Sequence, residues 1–308
     1  MLPKSGDFFA VMYHYVRPKE QTKLRYLEID LFKKQLDLFE QRYGIVTKAD
    51  WKKFRSTGKY PTGVLLTFDD GLKDHFKYVL PILLERNLFG IFYVCTNPLK
   101  GSALPVHLTH YLLANKDAES IWAALNSMGL KKDLSTTLDN KSYFAYAEHD
   151  HTNLEKNLKR IINWATVDTG QTKLLLDAFI DLTDTTQNQF VRDWYLNEQE
   201  ISQMIKLGYE IGSHTCSHKL LSNLVDYEIN YELNDSKNIL NEIFDINVRS
   251  FCFPFGGEHS YNANILNKLA KFGYSESFSV NPVPIKSLHE NVHRNMELPR
   301  YDCNNFIK

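Results

Sequence analysis

No sign of charge dominates this chain: Lys and Arg total 36, Asp and Glu total 37, and the formal net charge is −1. Without a basic field, nucleic-acid binding has no electrostatic support. Cysteine is sparse and scattered: Cys95, Cys216, Cys252 and Cys303 contain no CxxC pair, so they read as small core residues of a reducing compartment rather than a disulfide frame. No uninterrupted apolar stretch approaches the roughly 18 residues that a membrane span needs. The opening Met-Leu-Pro-Lys-Ser-Gly-Asp lacks a charged segment followed by a long apolar run, so no secretory leader is expected and a cytoplasmic location is.

What is present supports a large core. The chain has 308 residues, of which 43% are hydrophobic, enough for one domain of α/β-barrel size or two modest ones. Val64-Leu-Leu-Thr-Phe-Asp-Asp-Gly71 reads as a buried strand stopping at two adjacent carboxylates and a glycine. Side chains alternate along a regular strand, so Asp69 and Asp70 cannot both point the same way. Two acids with different tasks suit such a place, one holding a cation and the other moving a proton.

Other strand-helix units flank it. Phe8–His14 reads as a first strand, followed by a helix with Asp30 at its N-cap and Phe32, Leu36 and Phe39 on one face. A helix through Tyr78–Leu84 carries Pro81, which should kink it or mark its first turn. Gly90–Cys95 is a third strand. Residues 97–192 lose the strand pattern and read as a helical insertion within a single domain spanning 1–308, with His107, His110, His149 and His151 inside it. Asn197 and Glu200 form a capping box for the next helix. Then come a strand over Tyr209–His214, a helix over Tyr227–Phe244 with Ile229, Leu233, Ile239, Leu240 and Ile243 as its apolar positions, and strands at Ser250–Phe253, Tyr274–Val280 and Met296–Tyr301. Alternation of this kind implies parallel, right-handed βαβ units. Seven strands predict a distorted, incomplete (β/α)7-type barrel with a helical insertion. Its chemistry should collect at the C-terminal strand ends, where His14, Asp69, Asp70, His214 and the Pro254–Gly257 turn all fall.

His214-Thr-Cys-Ser-His218 puts two imidazoles four residues apart, on one face if the segment turns helically. Two histidines and a carboxylate make an open three-ligand zinc set with a fourth position left for water.

Together, Thr67-Phe-Asp-Asp-Gly71, His214-Thr-Cys-Ser-His218 and Phe253-Pro-Phe-Gly256, with the approach Gly208-Tyr-Glu-Ile-Gly-Ser-His214, resemble the polysaccharide deacetylase family and its NodB-homology domain (carbohydrate esterase family 4). The resemblance covers about 8–96 and 195–301. It implies hydrolysis of the N-acetyl group of an amino sugar in a polysaccharide or glycan precursor. Asp69 would be the general base, and Asp70, His214 and His218 the ligands of one divalent ion, zinc first and cobalt, nickel or manganese as alternatives. A backbone N–H near Phe255–Gly256 would stabilise the oxyanion. The same site would serve a metal-dependent hydrolase of cyclic amides, and a catalytically degenerate carbohydrate-binding relative is the third reading.

Two departures stand out. Cys252 and Phe253 precede Pro254 where many members carry an arginine, and Arg249 is the nearest one. Arg300, at the end of the last expected strand, could pair with Asp69 and hold it ionised. The Leu-x-His motif that supplies the family's general acid has no match: Leu288-His289 lacks the intervening residue. His293 and His14 are the other candidates, and His14 ends the first strand on the catalytic rim.

Overall fold

The computed structural model describes residues 2–20, 22–129, 154–156, 158–159, 169–285 and 295–306. Seven strands run in parallel: β1 (Phe8–Tyr13), β2 (Gly63–Phe68), β3 (Gly90–Val94), β4 (Glu210–Ser213), β5 (Ser250–Cys252), β6 (Glu276–Phe278) and β7 (Arg300–Asp302). Their order is β6-β5-β4-β3-β2-β1-β7. Leu298, two residues before β7, bridges Phe278 of β6 in parallel, and its N–H donates to the Ser277 carbonyl at 2.9 Å. This contact joins the two edges, leaving a nearly closed barrel with one seam.

Strand composition explains the closure. Every residue of β1 and β2 is buried, as expected for parallel strands covered on both faces. The period of two divides them. Phe9, Val11, Val64 and Leu66 pack outward against helices such as Ile29–Arg42. Ala10, Leu65, Ile91, Tyr93, Cys252 and Phe278 pack with one another and with Trp51 and Phe54 of the helix Lys48–Thr57. That helix closes the N-terminal end of the barrel. There Arg55 donates to Glu210, which opens β4, and to fully buried Glu276, which opens β6.

Replacing Arg55 with Met leaves Glu276 without its partner. The expected loss is about 3–5 kcal/mol of unfolding free energy, read by urea denaturation. Burial, helped by the negative charge of Glu210, pushes the Glu276 carboxyl up to about 7 even beside Arg55. A raised acid binds its proton more tightly folded than unfolded, so its contribution is full below about 4.5 and is lost as pH rises through about 7. The deficit of the variant should therefore be smaller at pH 5 than at pH 8; an equal deficit at both would refute this role.

Between β3 and β4 the described elements are helical: Asn97–Lys100, Pro105–Asn115, Ala118–Ser127, Thr169–Thr183 and Gln187–Trp194. They share an apolar cluster with Tyr15, Leu72 and Cys95 from the C-terminal rim of the barrel. The exit of this segment is also tied by backbone, the Leu196 N–H donating to the Gly71 carbonyl at 2.8 Å. The capping box of Asn197 and Glu200 is formed, and all four cysteines are buried and free. Among the described residues no helix is long and apolar enough to cross a membrane.

Several local expectations shift. Asp30 lies in the first turn of its helix, and Glu28 is the N-cap without a side-chain bond. Pro81 marks a first turn, that of Leu80–Glu85, after a π turn over His75–Val79. A second π turn, Tyr231–Asp235, interrupts the helical run from Asp226 to Phe244. After it Leu240 keeps its buried place, whereas Ile243, expected on the apolar face, is exposed. The last strand is Arg300–Asp302 rather than Met296–Tyr301.

Candidate active site

β2 delivers Asp69 to the inside of the barrel, its N–H still bonded to the Tyr13 carbonyl at 2.9 Å. Alternation would then turn Asp70 away. Instead Asp70 takes a left-handed φ of 76° and Gly71 one of 65°, which brings both carboxylates to the rim. Val94 presses on the turn, with Cγ1 only 3.2 Å from where a β-carbon at position 71 would lie.

Arg300 reaches Asp69 from inside the barrel. It opens β7 instead of ending it, in register with Ala10, and is fully buried. Nη1 donates to Asp69 Oδ1 at 2.8 Å and Nη2 to Oδ2 at 2.7 Å, a bidentate pair. Nη1 also reaches Thr67 Oγ1 and Nη2 Cys252 Sγ. Burial alone would raise the Asp69 carboxyl, but the guanidinium outweighs it and holds it at about 2. Asp69 is ionised across the neutral range.

His214 and His218 meet without a helix. Thr215 and His218 adopt φ of 71° and 59°, and the His218 N–H donates to Thr215 Oγ1 at 2.9 Å, closing a left-handed turn. The turn aims His214 Nε2 to 3.2 Å and His218 Nε2 to 3.4 Å from Asp70 Oδ1. These three ligand atoms lie within 4.8 Å of one another.

His214 Nδ1–H donates to the Cys252 carbonyl at 2.8 Å, which turns the Nε2 lone pair toward Asp70. Asp70 Oδ1 is buried with no hydrogen-bond partner. Acceptors facing one another in a dry site require a proton or a cation between them, and this donor set fits a divalent ion. Burial lowers the proton affinity of both imidazoles. For His218 that lowering prevails, whereas Cys252 and Asp70 raise His214 above its usual value. A proton and a cation would compete for its Nε2. Burial would also raise Asp70, but His107, His214 and His218 outweigh it and hold the carboxyl well below the usual range.

His14 follows directly on β1, with its side chain 39% exposed and Nε2 4.0 Å from Asp69 Oδ2. That exposure sets it apart from a packed core histidine; the buried neighbour is His75, bonded to the His14 carbonyl at 2.9 Å. Phe255 follows β5 at a φ of 64° and lays its ring 5.0 Å from that of His218. Gly256 packs so closely on Val280 that a β-carbon would come within 2.3 Å of Cγ2. Tyr13, Phe92 and Phe251 are core.

One residue at the centre went unplaced by sequence. His107, in the helix Pro105–Asn115, puts Nε2 3.1 Å from Asp70 Oδ2. The only local hint was its spacing to His110, which bonds Tyr15 instead. His149, His151, His289 and His293 lie outside the described residues.

The geometry agrees with sequence comparison, since residues 149–277 match a family model described as polysaccharide deacetylase. Over that span the chain is similar to the polysaccharide deacetylase family. The matched span holds His214, His218 and Phe253–Gly256, whereas Asp69 and Asp70 lie before it.

Solved structures share the fold across the whole chain. The Streptococcus pyogenes deacetylase PplD, determined in complex with acetate, is similar at a TM-score of 0.57 and 16% identity, covering 97% of this chain and 93% of that one. A de-N-acetylase from Aggregatibacter actinomycetemcomitans gives 0.56 and 13%, covering 97% and 99%. IcaB from Ammonifex degensii gives 0.53 and 15%, covering 98% and 93%. No match occurs among curated protein sequences. The chain therefore carries its motifs on a barrel shared with these solved structures.

Proposed function

We propose that this protein removes the N-acetyl group of an amino sugar, in a polysaccharide or a glycan precursor, with one divalent ion held by Asp70, His214 and His218. The observation that carries this reading is the convergence of those three ligand atoms beside an ionised, arginine-held Asp69. A cation there, zinc first, would lower the pKa of a bound water to about 7 and polarise the acetamide carbonyl.

The remaining work falls to side chains of the rim. Asp69 takes the proton of the attacking water, its orientation set by Arg300. The backbone at Phe255–Gly256 faces the developing oxyanion. His14, nearest the solvent, gives a proton to the departing amine as the C–N bond breaks. The products are acetate and a free amino sugar. His107 and the helices around it cover the far side of Asp70, so the substrate would enter past His14 and Phe255.

Acetate release from N-acetylhexosamine oligomers and nucleotide-linked N-acetyl sugars, assayed with added zinc or cobalt, tests the reading. Metal-dependent acetate release from at least one of them is expected, and removal of the ion with a chelator should abolish it reversibly. Turnover that is unaffected by exhaustive chelation would overturn the metal assignment. Ring opening of a cyclic amide without acetate release would overturn the substrate class.

A further inference from the structure

The ligand carboxylate Asp70 has two oxygens, and only Oδ1 faces His214 and His218. Oδ2 is taken by His107 at 3.1 Å. His107 comes from a helix between β3 and β4 rather than from a strand end, and it is buried. Its other ring nitrogen, Nδ1, lies 2.7 Å from the Tyr195 hydroxyl. That hydroxyl already accepts the Leu104 N–H at 3.1 Å. Its own proton is then free to go to His107 Nδ1, which fixes the tautomer with hydrogen on Nε2. The resulting chain runs from Leu104 N–H to Tyr195 O–H, to His107 Nδ1, and from His107 Nε2–H to Asp70 Oδ2.

We infer that His107 is a positioning residue for the metal centre, locking Asp70 in the rotamer that offers Oδ1 to the ion, and that Tyr195 sets its tautomer. The inference rests on the assignment of Asp70, His214 and His218 as ligands. A carboxylate with both oxygens unrestrained could rotate away or bind through either oxygen. With Oδ2 occupied by a neutral N–H donor, Asp70 keeps its charge and binds through one oxygen. Tyr195 is itself held beside the Asp-Asp-Gly turn, through a bridge to Leu72 and the bond from Leu196 to Gly71. The helical segment between β3 and β4 is thus tied to the ligand by side chain and by backbone, which gives it a direct hand in metal affinity.

The test is zinc affinity of the full-length protein, measured by competition with a chromophoric chelator, with the visible spectrum of the cobalt-loaded form alongside. His107→Ala should weaken zinc binding about 10- to 100-fold, and His107→Gln, which retains an N–H donor, should recover a large part of it. Tyr195→Phe removes one hydroxyl only and should weaken binding in the same direction by less. All three should keep the wild-type circular dichroism. The cobalt bands should keep their intensity, since no ligand is lost.

Unchanged zinc affinity in the Ala and Phe variants, with His214→Ala losing the metal, would overturn this inference alone. A changed cobalt coordination spectrum in His107→Ala would also overturn it, by making His107 a ligand. Equal zinc affinity of wild type and His214→Ala would overturn the ligand assignment and this inference together.

Discussion

Asp69→Asn is expected to lower kcat for deacetylation by about 10²–10⁴-fold, the range of general base contributions, while the protein still binds its metal. The amide is close to isosteric but accepts no proton from water. The same change leaves Arg300 fully buried beside a neutral partner. Deleting one member of a buried ion pair costs about 3–5 kcal/mol, so stability should fall along with activity. The two effects can be separated. Adding Arg300→Met to Asp69→Asn removes the uncompensated charge and should restore much of the stability without restoring turnover. If the double variant regains activity, Asp69 is not the base, and the loss in the single variant was one of folding.

His214→Ala should be as damaging by a different route. Zinc held by four protein ligands binds with about 10–16 kcal/mol in small domains, which makes one ligand worth about 2.5–4 kcal/mol. The expected loss is therefore about 10²- to 10³-fold in zinc affinity. Acetate release at trace metal should vanish and return partly at high zinc. Asp69→Asn should show the opposite pattern, with metal retained and no rescue by excess ion. Full metal occupancy of His214→Ala at stoichiometric zinc would sink the ligand set. The contrast between the two variants distinguishes a residue that holds the cation from one that accepts the proton within one site.

The strands and most of the site were legible because their signals are local. Apolar runs ending in Asp69 and in His214 mark strand ends, and parallel barrels gather such ends on one rim. What failed to show needed distant or irregular geometry. The pairing of His214 with His218 was expected from a helical turn, yet left-handed backbone at Thr215 and His218 achieves it, and no periodicity reports that. Arg300 was placed at a strand end but starts its strand, and its side chain crosses the barrel interior to Asp69. His107 meets a partner 37 residues away, so nothing in its own helix could name Asp70. The π turn at Tyr231–Asp235 was not legible for a related reason, since no periodicity announces an irregular turn.

The left-handed residues of the rim bear on how this protein can be changed. Among the described residues that are not glycine, seven have positive φ, and Asp70, Thr215, His218 and Phe255 are four of them. The other three, Asn87, Asp184 and Asp245, are the types that tolerate such backbone. Threonine and phenylalanine do not, and each such residue costs on the order of 1–3 kcal/mol. A sequence optimised for stability alone would drift toward glycine at positions 215 and 255, and with it would lose the hydroxyl that closes the histidine turn and the ring beside His218. Selection for robustness and selection for turnover therefore pull these positions in opposite directions. Thermostabilising changes would have to come from the rest of the barrel, leaving the strained rim as it is.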